Sequence, residues 1–116
     1  MARRPEQVAE VLRQLAAEFI ERESNRTSLI TVTRAEVGDK QNRATVFITV
    51  LPDSEEDAAL DFVKRKRGVF RDYLNEKLHI HPLPFVDFVI DFGEKNRQRI
   101  DELGRQDREI HGDKNV

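Results

Sequence analysis

The chain has 116 residues, 38% hydrophobic and 36% charged, which allows one well-solvated domain with a real but modest core. A formal net charge of −2 excludes an overall cationic field, so affinity for nucleic acid would have to come from local segregation of charge. The lack of cysteine excludes disulfides, cysteine zinc sites and a thiol nucleophile and suits a reducing cytoplasm; no apolar run approaches the ~20 residues of a membrane span.

The first residues lead into an amphipathic pattern rather than a signal-peptide core. Val8, Val11, Leu12, Leu15, Phe19 and Ile20 recur at helical spacing and predict a helix from about Pro5 to Glu23, with Pro5 in its first turn. Ser24-Asn25-Arg26-Thr27-Ser28 reads as a loop. Two runs rich in β-branched residues follow, 29–37 and 43–51, and the short turn between them implies an antiparallel hairpin. In the second run Ala44, Val46, Ile48 and Val50 share one face.

Pro52-Asp53 stops the strand, and Ser54-Glu55-Glu56-Asp57 resembles a capping box for a second helix carrying Ala58, Ala59, Leu60, Phe62 and Val63. Gly68 is read as the interruption between this helix and a third, whose stripe is Val69, Phe70, Tyr73, Leu74 and Leu78. A proline-limited connector, 79–84, leads to a third strand over 85–92, with Val86, Phe88, Ile90 and Phe92 on one side. A short helix is predicted over 96–103 with Ile100 and Leu103 as its apolar anchors, then a charged, disordered tail over 104–116. The helical crossover should set the third strand parallel to one of the hairpin strands. The expected fold is α+β, a two-layer α-β-β-α-α-β sandwich with a three-stranded sheet and helices on one face, formed by residues 1–103 as a monomer.

Lys64-Arg65-Lys66-Arg67-Gly68-Val69-Phe70-Arg71 places five cations in eight positions at the bend between two helices. A solvated helix face is the ordinary reason for such a run. A basic cluster on a rigid corner is equally a place to hold a phosphate backbone.

Several segments resemble the bacterial ribosome-binding factor A family. They are Leu29-Ile30-Thr31-Val32-Thr33-Arg34-Ala35-Glu36-Val37, Ala44-Thr45-Val46-Phe47-Ile48-Thr49-Val50-Leu51, Phe70-Arg71-Asp72-Tyr73-Leu74 after Gly68, Pro84-Phe85-Val86-Asp87-Phe88, and Arg99-Ile100-Asp101-Glu102-Leu103. The resemblance implies a type II KH-like fold and binding to 16S rRNA of the small ribosomal subunit during late maturation and rRNA end processing. That family has an Ala-x-Gly kink between its central helices. Here Lys66-Arg67-Gly68 keeps the glycine and replaces the alanine, and the family's Asp-Pro-Arg-Leu stretch gives way to Asn25-Arg26-Thr27-Ser28-Leu29.

The candidate RNA-binding residues are therefore Lys64, Arg65, Lys66, Arg67, Gly68 and Arg71, with Arg3 and Arg4 as a second arm. Phe70 and Tyr73 could stack on bases, but their spacing with Leu74 and Leu78 assigns them to the core. His79 and His81 alone do not make a metal site, and no cofactor is expected. With no phosphate-binding glycine loop, nucleophile elbow or zinc-protease helix, the expected protein is not an enzyme. The rival reading is a protein–protein adaptor, favoured if Phe47 or Val89 lies bare on an open sheet face.

Overall fold

The computed structural model describes residues 4–38, 40, 42–79 and 82–111, and of residues 106–111 the backbone alone. The elements are α1 (Pro5–Glu23), β1 (Leu29–Val37), β2 (Arg43–Leu51), a 3-10 turn (Asp53–Glu55), α2 (Glu56–Arg65), α3 (Arg67–Lys77), β3 (Phe85–Ile90) and α4 (Phe92–His111). The architecture is α+β with a mixed sheet in the order β1-β2-β3. β1 runs antiparallel to β2, and β3 pairs parallel to β2, as the hairpin and the helical crossover predict.

Strand alternation builds the core. Val46, Ile48 and Val50 of β2 and Val86, Phe88 and Ile90 of β3 are all buried on one face. Leu12, Ala16 and Phe19 of α1 meet them with Val63 of α2 and Phe70, Tyr73 and Leu74 of α3. Aromatic rings carry the contact between layers: Phe70 lies 5.0 Å from Phe19 and 5.6 Å from Phe88, centroid to centroid. Phe70 and Tyr73 thus belong to the interior, and they fix the face that α3 turns inward.

β1 departs from a regular strand at Thr33. Val32 pairs with Ile48 and Arg34 with Phe47, so Thr33 is the extra residue of a β-bulge. Ile30 and Val32 turn toward the core before it, and Ala35 and Val37 after it. The bulge therefore preserves an inward apolar face across a one-residue slip in parity.

Four local readings are corrected by the structure. The capping box does not form: Ser54 lies in the 3-10 turn, and α2 begins at Glu56 without a side-chain cap. β3 ends at Ile90, because the Asp91 carboxylate accepts the Glu94 amide at 3.0 Å and starts α4 there; Phe92 is sent outward, 64% exposed. α4 then runs from Phe92 to His111, through Gly104, rather than over 96–103 alone. Ile100 and Leu103 are exposed and anchor nothing among the described residues. The helix is tethered instead by polar groups near its start, where Lys95 Nζ lies 2.9 Å from Glu56 Oε2 and Arg99 lies 3.6 Å from Asp53.

Candidate nucleic-acid interface

The corner between α2 and α3 is one residue long. Lys66 closes α2 by donating its amide to the carbonyls of Phe62 (3.1 Å) and Val63 (3.2 Å), and its own carbonyl accepts the Phe70 amide at 2.8 Å to begin α3. Its backbone sits at φ −89°, ψ 5°, the bridge region between helix and turn. Both backbone groups of Lys66 are satisfied, so one helix passes to the next without leaving the corner residue unpaired. The break falls at Lys66 rather than at Gly68, which lies inside the first turn of α3.

Gly68 is exposed, and a Cβ built on it would meet nothing within 4 Å. No close approach of another backbone within the fold therefore calls for glycine at this position. Neither room nor a positive φ requires glycine here, although glycine in a helix costs roughly 0.5–1 kcal/mol relative to alanine.

Burial of Phe70, Tyr73 and Leu74 decides which way the cations point. With those residues inward, Gly68, Arg71 and Asn75 line up at helical spacing on the exposed side. Lys64 and Arg65 are exposed in the last turn of α2, where cations complement the helix dipole. Arg67 is different. It occupies the first position of α3, at the positive end of that dipole, and no acidic residue shares the turn.

Three clefts adjoin along this surface. Lys64, Arg65 and Arg67 line the first with Asp61, Arg67 and Arg71 flank the second beside Gly68, and Arg71 continues into the third with Asn75 and Pro82. Arg67 and Arg71 each line two of the clefts, so the three lie side by side, and the carboxylates of Asp61 and Asp72 share their walls with the cations. Among the described residues Lys64, Lys66 and Arg71 form no ion pair, and Arg65 reaches only the Asp61 carbonyl, at 3.4 Å. Arg67 is partly committed, 3.3 Å from Asp87 on β3. Lys66 is half-buried and lines none of the three clefts. Arg4 stands exposed at the start of α1 and lines none of the three clefts, and Arg3 lies outside the described residues.

Two residues of this surface are missing from the sequence reading. The parallel register sets Arg43 opposite Phe85, at the first positions of β2 and β3, and brings the Arg43 guanidinium 5.9 Å from the Phe85 ring. Arg67 approaches the same ring to 5.6 Å. Strand alternation alone puts Phe85 opposite the core face, which was the available signal; its cationic neighbours depend on register and helix docking.

α3 is also fixed to α1 by a polar contact. The Tyr73 hydroxyl donates to Glu18 at 3.1 Å, and burial, reinforced by Glu18, pushes the phenol pKa up. Of the two histidines in the connector, His79 is exposed and His81 lies outside the described residues; among the described residues no cluster of metal-ligating side chains occurs. The outward sheet face is not bare where an adaptor would use it. Phe47 is half-buried with the Arg34 guanidinium 3.7 Å above its ring, and Val89 beside it is half-buried as well.

A family model described as ribosome-binding factor A matches residues 4–104. Ribosome-binding factor A of Alkalilimnicola ehrlichii is 31% identical over 118 residues, covering 95% of this chain and 91% of that protein. The Aromatoleum aromaticum protein of the same name is 33% identical, with 95% and 92% covered. The crystal structure of ribosome-binding factor A from Thermus thermophilus superposes with a TM-score of 0.66 at 18% identity, over 76% of this chain and 97% of that one. A homology model of the Thermus thermophilus factor, fitted into a cryo-EM map of its complex with the 30S subunit, superposes with a TM-score of 0.62 at 20% identity, over 70% and 88%. At those identities the structures establish the shared fold. The family match and the sequence relatives carry the assignment: this chain belongs to the ribosome-binding factor A family.

Proposed function

We propose that the protein is a non-enzymatic assembly factor that docks on the immature small ribosomal subunit through 16S rRNA and assists late maturation and rRNA end processing in the cytoplasm. The observation that carries this reading is the run of adjoining clefts lined by Lys64, Arg65, Arg67 and Arg71 at a one-residue helix corner. Family membership and the fitted complex of a relative with the 30S subunit support it. The cations supply affinity by displacing counterions from phosphates, and the corner supplies a shape that one rRNA arrangement fits better than another. Binding energy then selects a conformer, and no covalent step is needed. Arg67 at the positive end of α3, beside a glycine that leaves the helix surface open, is suited to a close phosphate.

The test is co-sedimentation with immature small subunits. The K64E/R65E/R71E variant changes exposed side chains that hold no ion pair among the described residues, so its circular dichroism should match the parent. Loss of co-sedimentation with the fold intact supports the reading; undiminished co-sedimentation overturns it.

A further inference from the structure

β1 is an edge strand, so alternate residues along it turn their N–H and C=O groups away from the sheet, with no further strand beside them among the described residues. The core is also less complete on that side. The inward residues of central β2, Ala44, Val46, Ile48 and Val50, are at most 4% exposed, whereas Ile30, Ala35 and Val37 of β1 are half-buried. Between β1 and α1 lies a cavity of about 610 Å³, lined by Ala17 and Ile20 of α1 and by Leu29, Ile30, Thr31 and Val32. Those four residues of β1 are its regular stretch before the bulge at Thr33, which breaks the edge beyond Val32.

Two charged residues also line the cavity, Glu21 in the last turn of α1 and Arg26 in the α1–β1 loop. Both are exposed, and neither side chain forms an ion pair among the described residues. Arg26 stands there at φ 65°, and backbone strain of that kind concentrates at binding sites. A free strand edge, an apolar wall and one open charge of each sign suit an extended peptide rather than a compact ligand. Its backbone would pair with the edge, an apolar side chain would cover Ile30, and residues of opposite charge would meet Glu21 and Arg26. We propose that this edge is a docking site for an extended segment of a partner protein, in which an apolar residue is flanked on the same face by one basic and one acidic residue. The inference goes beyond the RNA-binding reading and does not depend on it, since none of these lining residues belongs to the corner between α2 and α3.

The chain has no cysteine, so T27C places a single thiol at the cavity for disulfide tethering. The probes are the pentapeptide Lys-Thr-Val-Thr-Glu, its reverse Glu-Thr-Val-Thr-Lys, and the same two with serine for valine, each ending in Gly-Gly-Cys. Mixed disulfide is measured by mass spectrometry at equilibrium in 2-mercaptoethanol. One valine peptide should be captured about tenfold better than its serine counterpart. Its adduct should show slowed amide hydrogen exchange within residues 29–32. Exchanging the two charges with E21K/R26E in the T27C protein should transfer the preference to the reversed peptide, with circular dichroism unchanged.

The docking site is overturned if valine and serine peptides are captured equally, if residues 29–32 exchange as fast in the adduct as in the free protein, or if the charge exchange leaves the preference where it was. Two other occupants would overturn it as well. A wild-type dimer in sedimentation equilibrium that protects those same amides would assign the edge to a second copy, and their protection by single-stranded RNA would assign it to nucleic acid. Failure of the ribosomal reading looks different: undiminished co-sedimentation by K64E/R65E/R71E would remove that assignment and leave the tethering result standing.

Discussion

Thr33 donates its hydroxyl proton to Asp91 Oδ2 at 2.6 Å, joining two residues 58 positions apart. Thr33 is the bulged residue of β1, and Asp91 is the residue that ends β3 and caps α4. The same Oδ2 accepts Arg34 Nε at 3.3 Å, and Oδ1 accepts the Glu94 amide at 3.0 Å. Only 6% of Asp91 is exposed, so this buried charge is tolerable because three donors meet it. The bulge and the helix start are thus one structural unit, closed by a carboxylate.

Removing either partner should expose that dependence. D91A deletes the cap and takes from the Thr33 hydroxyl its nearer acceptor, leaving it the Phe47 carbonyl at 3.3 Å, and should cost about 1–3 kcal/mol in urea unfolding. T33V leaves a buried carboxylate short of one donor and should cost about 1–2 kcal/mol. In the double variant the two losses should fall short of their sum by at least ~0.5 kcal/mol. Full additivity would show that the bond contributes nothing.

The same carboxylate makes stability depend on acid. Burial is the largest single influence on Asp91 and raises its pKa; the Thr33 hydroxyl, the Glu94 amide and Arg34 together outweigh it, so the net shift is downward from 3.8. The unfolded chain therefore takes up this proton at a higher pH than the folded one. The stabilisation is complete above the unfolded value, near pH ~4, and drains away as pH falls through the lower folded value. Unfolding midpoints measured from pH 6 to 2.5 should show a steeper acid decline in the parent than in D91N.

Gly68 predicts opposite effects on stability and binding. Because a Cβ meets nothing within 4 Å and the residue is helical, G68A should stabilise the free protein by about 0.5–1 kcal/mol and raise Tm by a few degrees. The added methyl would stand on the open surface between Arg67 and Arg71, where the proposed function brings a phosphate backbone close, so on that reading subunit affinity should fall. A variant that is more stable and binds as well as the parent would show that the glycine serves neither purpose.

The cations lining the clefts should also appear in the salt dependence. Each exposed cation that neutralises a phosphate contributes about 0.7–0.9 to the slope of log K against log salt, so a slope of roughly −2 to −4 is expected for subunit binding. K64Q, R65Q and R71Q should each make it shallower by about one contact. Arg67 is a poorer probe, since it already pairs with Asp87 at 3.3 Å. A flat response in the parent would point to a protein contact.

Arg26 has φ 65°, a left-handed conformation that costs a side-chain-bearing residue about 1–2 kcal/mol. It lies in the α1–β1 loop, where its amide bonds Ser24 Oγ at 3.2 Å and the Thr27 amide bonds Asn25 Oδ1 at 3.0 Å. Asparagine tolerates this conformation better. R26N should raise stability by about 0.5–1 kcal/mol in thermal or urea unfolding, with no change in RNA binding.

The elements and their inward faces were legible wherever one segment contains its own reason. Val46, Ile48 and Val50 alternate, and Phe70, Tyr73 and Leu74 recur at helical spacing; burial followed both periods. The cations at 64–71 were visible as a cluster, and their outward direction follows from those apolar neighbours. Of α4 only the middle, 96–103, was legible as helix; its full extent from Phe92 to His111 was not, because a largely polar helix carries no sustained apolar stripe. Its signal was charge spacing, as in Arg97 with Glu94 and Asp101, and Arg105 with Glu102.

By itself the order of residues determined the family, the α+β class and the strand and helix faces, since these rest on interactions between near neighbours and on periods that repeat within a few residues. Only the folded chain decided that Asp91 leaves its strand to cap a helix, that Thr33 bulges to meet it, that Asp87 engages Arg67, and that Phe85 lies beside two arginines from other elements. Each of those facts joins positions far apart in sequence. Hydrogen bonds, ion pairs and ring contacts form at a few ångströms, and that closeness does not exist until strand register and helix docking create it.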